Sequence, residues 1–184
     1  MTTRRNPWQT RSSRIVYENA WLRLREDAVL RPDGQAGIYG VVELRPSVGV
    51  IALNAHREIV LVGQWRYPLG RYSWEMPRGG SMPGESDLEA VARRELREET
   101  GVEARHWESL GAVDVNNGVT TDVEHLFLAT DLESGEAHQD PEEEIELRWA
   151  PFDEAVQMIL RGEITEVCTV AAILLAASRS KAGA

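Results

Sequence analysis

The stretch that most narrows what this chain can fold into is PRGGSMPGESDLEAVARRELREETGVEA, Pro77 to Ala104. Its second half sets Glu95, Glu98 and Glu99 at i, i+3 and i+4, so a helix here puts three carboxylates on one face. Each like-charge pair costs roughly 0.2–0.5 kcal/mol, and something must offset that repulsion. Neighbouring arginines could do so, and so could a bound cation. The spacing predicts a helix that begins at Ser86, where Ser86 and Glu89 form a capping box, with Gly101 as its C′ glycine. Leu88, Val91, Ala92 and Leu96 recur at helical spacing and define its buried face. Glu95, Glu98 and Glu99 are left on the flank beside the glycine-rich loop RGGSMPG.

Around this helix the patterning is mostly that of strands. Arg14–Leu30 alternates as two strands about a Glu18-Asn19 turn, and Arg31–Gly37 is a turn by its Pro-Asp-Gly chemistry. IYGVVEL, VGVIALN, IVLVGQWRY and RYSWEMP read as strands, with a turn at NAHRE. Beyond the helix come HWESLGAVDV and EHLFLATDL, an acidic loop DLESGEAHQDPEEEIE, the strand ELRWAP, and helices over Pro151–Arg161 and Glu166–Ser178. Strands, one central helix, more strands and terminal helices describe a mixed sheet covered by helices, an α/β (α+β) class. The polar opening MTTRRNPWQTRSSR is expected as a flexible arm over residues 1–13. A strand region is expected over 14–45 and the main domain over 46–180.

Charge narrows the partners. A formal net charge of −10 and a pI of about 4.9 argue against broad binding to nucleic acid or to an anionic membrane. A phosphate substrate remains open, provided a metal or a local arginine cluster reverses the field at the site. The one cysteine, Cys168, sits in the apolar run VCTVAAILLAA and reads as a buried thiol. It leaves no intrachain disulfide, which fits a reducing cytosol, and a cytoplasmic location is expected. No apolar run has the length to span a bilayer.

Taken alone, the carboxylate trio is most simply a solvated face, with Arg94 and Glu98 forming an i, i+4 pair. The loop beside it changes the reading. Its glycines let the backbone approach a ligand closely or offer a carbonyl to a metal. Hard oxygen donors of this kind favour Mg²⁺ or Mn²⁺, and Mg²⁺ is usually held by a few carboxylates together with substrate phosphates.

The stretch resembles the Nudix box, G-x5-E-x7-R-E-U-x-E-E-x-G-U with U aliphatic. Gly79, Glu85, Arg94, Glu95, Leu96, Glu98, Glu99, Gly101 and Val102 match its residue types in order. GQWRYP, SWEMPRGG, EHLFLA, PEEEIE and RGEITEVCT resemble the flanks of the branch that contains ADP-ribose pyrophosphatases, so the similarity runs from about Val16 to Ala177. Glu85 to Arg94 encloses eight residues, SDLEAVAR, where the family has seven. Either Gly79 and Glu85 keep their roles with a residue added before the helix, or Gly80 pairs with Ser86 in the glutamate position. An extra residue inside the helix would rotate everything beyond it by about 100°, so the addition is expected in the loop or first turn.

The resemblance implies a Nudix-type α/β/α sandwich behind short N-terminal antiparallel strands. It also implies metal-dependent hydrolysis of a nucleoside diphosphate linked to another group, with Mg²⁺ or Mn²⁺ as cofactor. Glu95 and Glu99 would be the main metal ligands and Glu98 a further one. The carbonyl of Gly79 or Arg78 would complete the set, while Arg94 orients the glutamates. Glu85 and Gly101 would keep structural box roles. The general base would come from the acidic loop, Glu143 first and Glu142 next. Arg66, Glu75 and Arg78 resemble substrate-binding residues, and Trp65 or Trp74 could stack on a base. ADP-ribose, yielding AMP and ribose 5-phosphate, is the first candidate. GDP-mannose or another nucleotide sugar stands close behind, because the proline that ADP-ribose hydrolases commonly carry sixteen residues after the final box glycine is here Asn117. A homodimer formed through the N-terminal strands is implied as well. A non-catalytic nucleotide-sugar-binding protein on the same fold is the alternative from another class.

Overall fold

A computed structural model describes residues 5–135 and 144–182. The chain divides into two compact units, one running to Arg45 and taking in Asp114–Asp122, the other formed by Pro46–Val113 and Val123–Ala184.

The first unit is an antiparallel sheet of β1 (Gln9–Glu18), β2 (Arg23–Leu30) and β3 (Ala36–Glu43), with β2 in the middle. β1 therefore begins at Gln9, so residues 9–13 are strand and not the expected arm. Alternating charges explain this. Arg14 pairs with Glu26 at 2.8 Å and Arg23 with Glu18 at 2.6 Å across the β1–β2 ladder, where opposite charges face one another and favour pairing. The turn between them is held by Asn19, whose side-chain oxygen accepts from the main-chain N–H groups of Trp21 and Leu22. At the second turn Gly34 takes a φ of 82°, which the Pro-Asp-Gly sequence supplies without steric cost.

The second unit carries β4 (Ser47–Ala52), β5 (Glu58–Arg66), β6 (Arg71–Glu75), β7 (Arg78–Gly80), α1 (Leu88–Thr100), β8 (Val102–Asp114), β9 (Val123–Ser134), β10 (Glu146–Pro151), α2 (Phe152–Leu160) and α3 (Val167–Ala182). One sheet runs β7-β4-β9-β8, with β4 parallel to β9 and antiparallel to β7, so it is mixed. A second, antiparallel sheet runs β10-β5-β6. Alternation along β4 and β9 assigns their two faces. Val48, Val50, Ala52, Phe127 and Ala129 pack with Val91, Ala92 and Leu96 of α1. Gly49 and Glu124 lie on the opposite face, where α3 places Cys168 against Glu124. Cys168 is buried, as its apolar surroundings predicted.

Two local expectations need correction. Arg78–Gly80 is not open loop but a short strand, with Ser47 opposite Gly80 and Gly49 opposite Arg78. The helix is capped by Asp87 instead of Ser86, and the Asp87 carboxylate accepts from Ala90 N–H at 3.1 Å. A carboxylate is both a cap and a favourable charge for the helix N-terminus, so it prevails over the neighbouring hydroxyl. Asp87→Ala is expected to lower unfolding free energy by about 1 kcal/mol, measured by urea denaturation, while Ser86→Ala changes it much less. At the far end Gly101 adopts φ 67° and its N–H bonds to Arg97 O, as expected of a C′ glycine. No helix among the described residues is long and apolar enough to cross a membrane.

Candidate active site

The repulsion posed by Glu95, Glu98 and Glu99 is answered first by Arg94. Its guanidinium lies 2.9 Å from Glu95, 2.9 Å from Glu98 and 3.4 Å from Glu85, and it also donates to Gly80 O. Burial works against the Arg94 charge, but Glu95, Glu98 and Glu85 together raise its pKa above the ordinary arginine value. One side chain thus gathers carboxylates from the loop and from two positions on the helix.

Glu85 lies within reach of Arg94. Its carboxylate accepts from Met82 N–H at 2.7 Å, and that bond, helped by Arg94, holds its pKa below the usual range against a smaller effect of burial. The helix starts at Leu88, after Glu85, and runs unbroken through Arg94, Glu95, Glu98 and Glu99. Of the two alignments, the geometry favours the one in which Gly79 and Glu85 keep their positions.

Gly79 sits directly against Glu95. A Cβ built on Gly79 would overlap the Glu95 carboxyl group, so any side chain here would force that carboxyl to move. The next contact down the helix is Glu99, only 7% exposed, which accepts the main-chain N–H of Arg78 at 3.0 Å. β7 therefore touches Glu95 and Glu99, one helical turn apart.

Beneath β7 lies a buried charge network that the sequence reading did not anticipate. Arg66 donates to both oxygens of Glu75, at 2.9 and 2.6 Å. Burial pushes the Glu75 carboxyl up, but Arg66, Ser73 and Arg78 outweigh it and hold it below the ordinary range. Arg78 in turn grips both oxygens of Glu124, with Nε at 3.1 Å, and lies 3.6 Å from Glu75 and 3.7 Å from Glu166. Glu166 caps α3 by accepting from the N–H groups of Cys168 and Thr169. Arg66, Glu75 and Arg78, expected as substrate contacts, are thus first of all partners of one another and of Glu124 and Glu166.

Trp65 is 62% exposed on β5 opposite Tyr72 of β6, and with Glu144, Ile145 and Glu146 the two rings line a cavity of about 570 Å³. Tyr72 donates to Glu146 at 2.8 Å. Trp74 is occupied differently, with Tyr72 edge-on at 5.6 Å and the Arg148 guanidinium 5.8 Å from its ring centre. Glu142 and Glu143 lie outside the described residues.

Among the described residues no three Asp, Glu, His or Cys side chains already form a metal cage. The donors nonetheless fit a hard divalent cation. Glu95, Glu98 and Glu99 offer carboxylate oxygens, the donor type such a cation takes, and Mg²⁺ characteristically takes few protein ligands and completes its shell with water and phosphate oxygens. Sequence comparison identifies the family. A family model described as NUDIX domain matches residues 43–170, about 70% of the chain.

The chain belongs to the Nudix hydrolase family.

Residues 8–42 of this Nudix pyrophosphohydrolase match a second model, the nucleoside diphosphate sugar hydrolase N-terminal domain. An ADP-ribose pyrophosphatase of Mycobacterium tuberculosis is 35% identical over 170 residues, 91% of this chain and 82% of that protein. A methanol dehydrogenase activator of Bacillus methanolicus is 34% identical over 160 residues, 86% of each chain. A solved structure titled as an ADP compounds hydrolase superposes with a TM-score of 0.87 at 17% identity, covering 99% of this chain and 98% of its own, which shows the Nudix fold. Glu124 and Glu166 are what sequence reading missed in this Nudix hydrolase. A signal for Glu124 was present, because Glu124, Leu126 and Leu128 share one face of an apolar strand, and a carboxylate on such a face calls for a partner.

Proposed function

We propose that this Nudix hydrolase cleaves the pyrophosphate bond of a nucleoside diphosphate sugar, with ADP-ribose, giving AMP and ribose 5-phosphate, as its first substrate. The observation that carries the reading is the placement of Glu95 and Glu99 against Gly79 and the Arg78 N–H, with Arg94 gathering Glu85, Glu95 and Glu98. The match of residues 8–42 to the nucleoside diphosphate sugar hydrolase N-terminal domain and the name of the mycobacterial relative support the substrate class.

Glu95, Glu99 and Glu98, with the Gly79 carbonyl, would hold Mg²⁺, for which Mn²⁺ can substitute. Bound there, the cation supplies Lewis-acid polarisation of the phosphoryl oxygens and offsets charge building on the leaving phosphate. Arg94 fixes the rotamers of Glu95 and Glu98, so the ligands are set before substrate arrives. The exposed face of Trp65, with Tyr72 beside it, offers a surface on which a nucleobase can stack. We assign removal of the proton from the attacking water to the carboxylate of Glu143, with Glu142 as the alternative. Exposed Ile15, Val16, Tyr17 and Ile38 on the β1–β2–β3 sheet support a homodimer formed through that sheet.

Asn117, where a proline marks many ADP-ribose hydrolases, favours a second substrate reading within the same chemistry, GDP-mannose or another nucleotide sugar. Incubation of the protein with ADP-ribose, GDP-mannose and UDP-glucose, in Mg²⁺, in Mn²⁺ and in chelator, separates the two by mass spectrometry of the products. Metal-dependent release of AMP and ribose 5-phosphate is expected. Faster turnover of GDP-mannose would move the assignment to that sugar, and no hydrolysis by folded protein would overturn the function.

A further inference from the structure

We propose that Glu124 is a positioning residue for the metal-binding face, acting through Arg78. The inference rests on the reading that Glu95 and Glu99 hold a divalent cation. Glu124 is fully buried on β9. Its two oxygens engage the guanidinium of Arg78, and the Ser47 hydroxyl donates to it at 3.4 Å. A carboxylate placed so deep requires a reason, because burial opposes its charge and an apolar residue would pack there without that cost.

The reason lies at the other end of Arg78. Its main-chain N–H is the donor to Glu99, and the next residue is Gly79, against which the Glu95 carboxyl group rests. β7 is only three residues long and pairs with the sheet through β4 alone. Besides its short ladder and the flanking bonds from Val50 N–H to Pro77 O and from Ser81 N–H to Pro46 O, the side chain of Arg78 supplies an anchor that sets the height of β7 over α1. Glu75 and Glu166 lie 3.6 and 3.7 Å from the guanidinium nitrogen Nη1. Glu124 alone grips Nε and Nη2 as a two-point fork, which fixes direction as well as charge. Withdrawing that fork lets Arg78 swing toward Glu75 and Glu166 and releases β7 from its height above Glu95 and Glu99.

The test separates positioning from stability. Glu124→Gln keeps the shape and removes the charge, while Arg78 retains Glu75 and Glu166 as counter-charges. Mn²⁺ binding to the metal-free protein is measured by calorimetry and by electron paramagnetic resonance, and the melting temperature of the same metal-free samples is recorded. Mn²⁺ affinity is expected to fall roughly 10- to 100-fold, the range seen when residues that orient metal ligands are changed. Melting of the metal-free variant should stay within a few degrees of wild type. If Glu124→Gln does not fold, Arg78→Lys replaces it, since lysine keeps the charge and the main chain but has no fork. Wild-type Mn²⁺ affinity in a folded variant overturns the positioning role and leaves the proposed function standing. Wild-type protein that takes up no Mn²⁺ overturns both.

Discussion

Glu99→Gln is expected to lower kcat by about a thousand-fold while leaving the fold intact. Glu99 is nearly buried and its carboxylate accepts the Arg78 N–H. A glutamine oxygen can accept the same hydrogen bond, so the contact that seats β7 on α1 survives. What disappears is the negative charge, and on the proposed reading that charge is a ligand to the cation. Glu98→Gln should cost less, because Glu98 is the more exposed of the two and is paired with Arg94. Steady-state kinetics at saturating Mg²⁺, beside thermal melting, would check this. A Glu99→Gln enzyme retaining a tenth of wild-type kcat would remove Glu99 from the metal set.

The largest loss of stability is expected from Arg78→Met. The substitution leaves Glu124 buried with no cation, and breaking a buried pair from one side costs about 3–5 kcal/mol. For a chain of this length each kcal/mol moves the melting temperature by about 2–4 °C, so a fall on the order of 10 °C is expected at neutral pH. Burial already holds the Glu124 carboxyl above its ordinary range even with Arg78 beside it. Without Arg78 the neutral form is favoured still more. The penalty on the fold is present while Glu124 is charged and fades as pH falls through its raised pKa. The variant should therefore regain stability on moving from pH 7 toward about pH 5, relative to wild type at the same pH values. Adding Glu124→Leu to Arg78→Met should recover a good part of the loss. A melting curve unchanged by Arg78→Met would show that the pair carries no stability.

The contrast between what could and could not be read from the sequence follows distance along the chain. Arg94, Glu95, Glu98 and Glu99 lie on one helix, whose repeat fixes their relation without reference to anything else. Gly101 as a helix stop and the buried face of Val91, Ala92 and Leu96 were legible for the same reason. The choice between Ser86 and Asp87 as cap was not, because both residues can cap and the decision depends on where the preceding loop delivers the chain. The pairing of Arg78 with Glu124 spans 46 residues and two strands, and no local pattern reports it. Arg66 and Glu75 stood out only through their resemblance to nucleotide-holding residues. The resemblance implied ligand contacts, yet on the antiparallel β5–β6 pair, where Arg66 faces Arg71 and Val62 faces Glu75, the Arg66 side chain reaches along the sheet to Glu75 and the two satisfy each other first.

Arg94 has a consequence for how this hydrolase would meet its cation. The guanidinium stands as counter-ion to Glu95 and Glu98, so on the proposed reading taking up Mg²⁺ would be an exchange of cations and not the filling of a bare anionic hole. The outgoing cation is covalently tethered and cannot diffuse away. It remains a permanent competitor, and Glu85 stands ready to receive it. On that reading metal affinity would be a balance between the cation and the tethered Arg94 charge, and Glu85, which takes no part in the chemistry, would be the weight that tunes it.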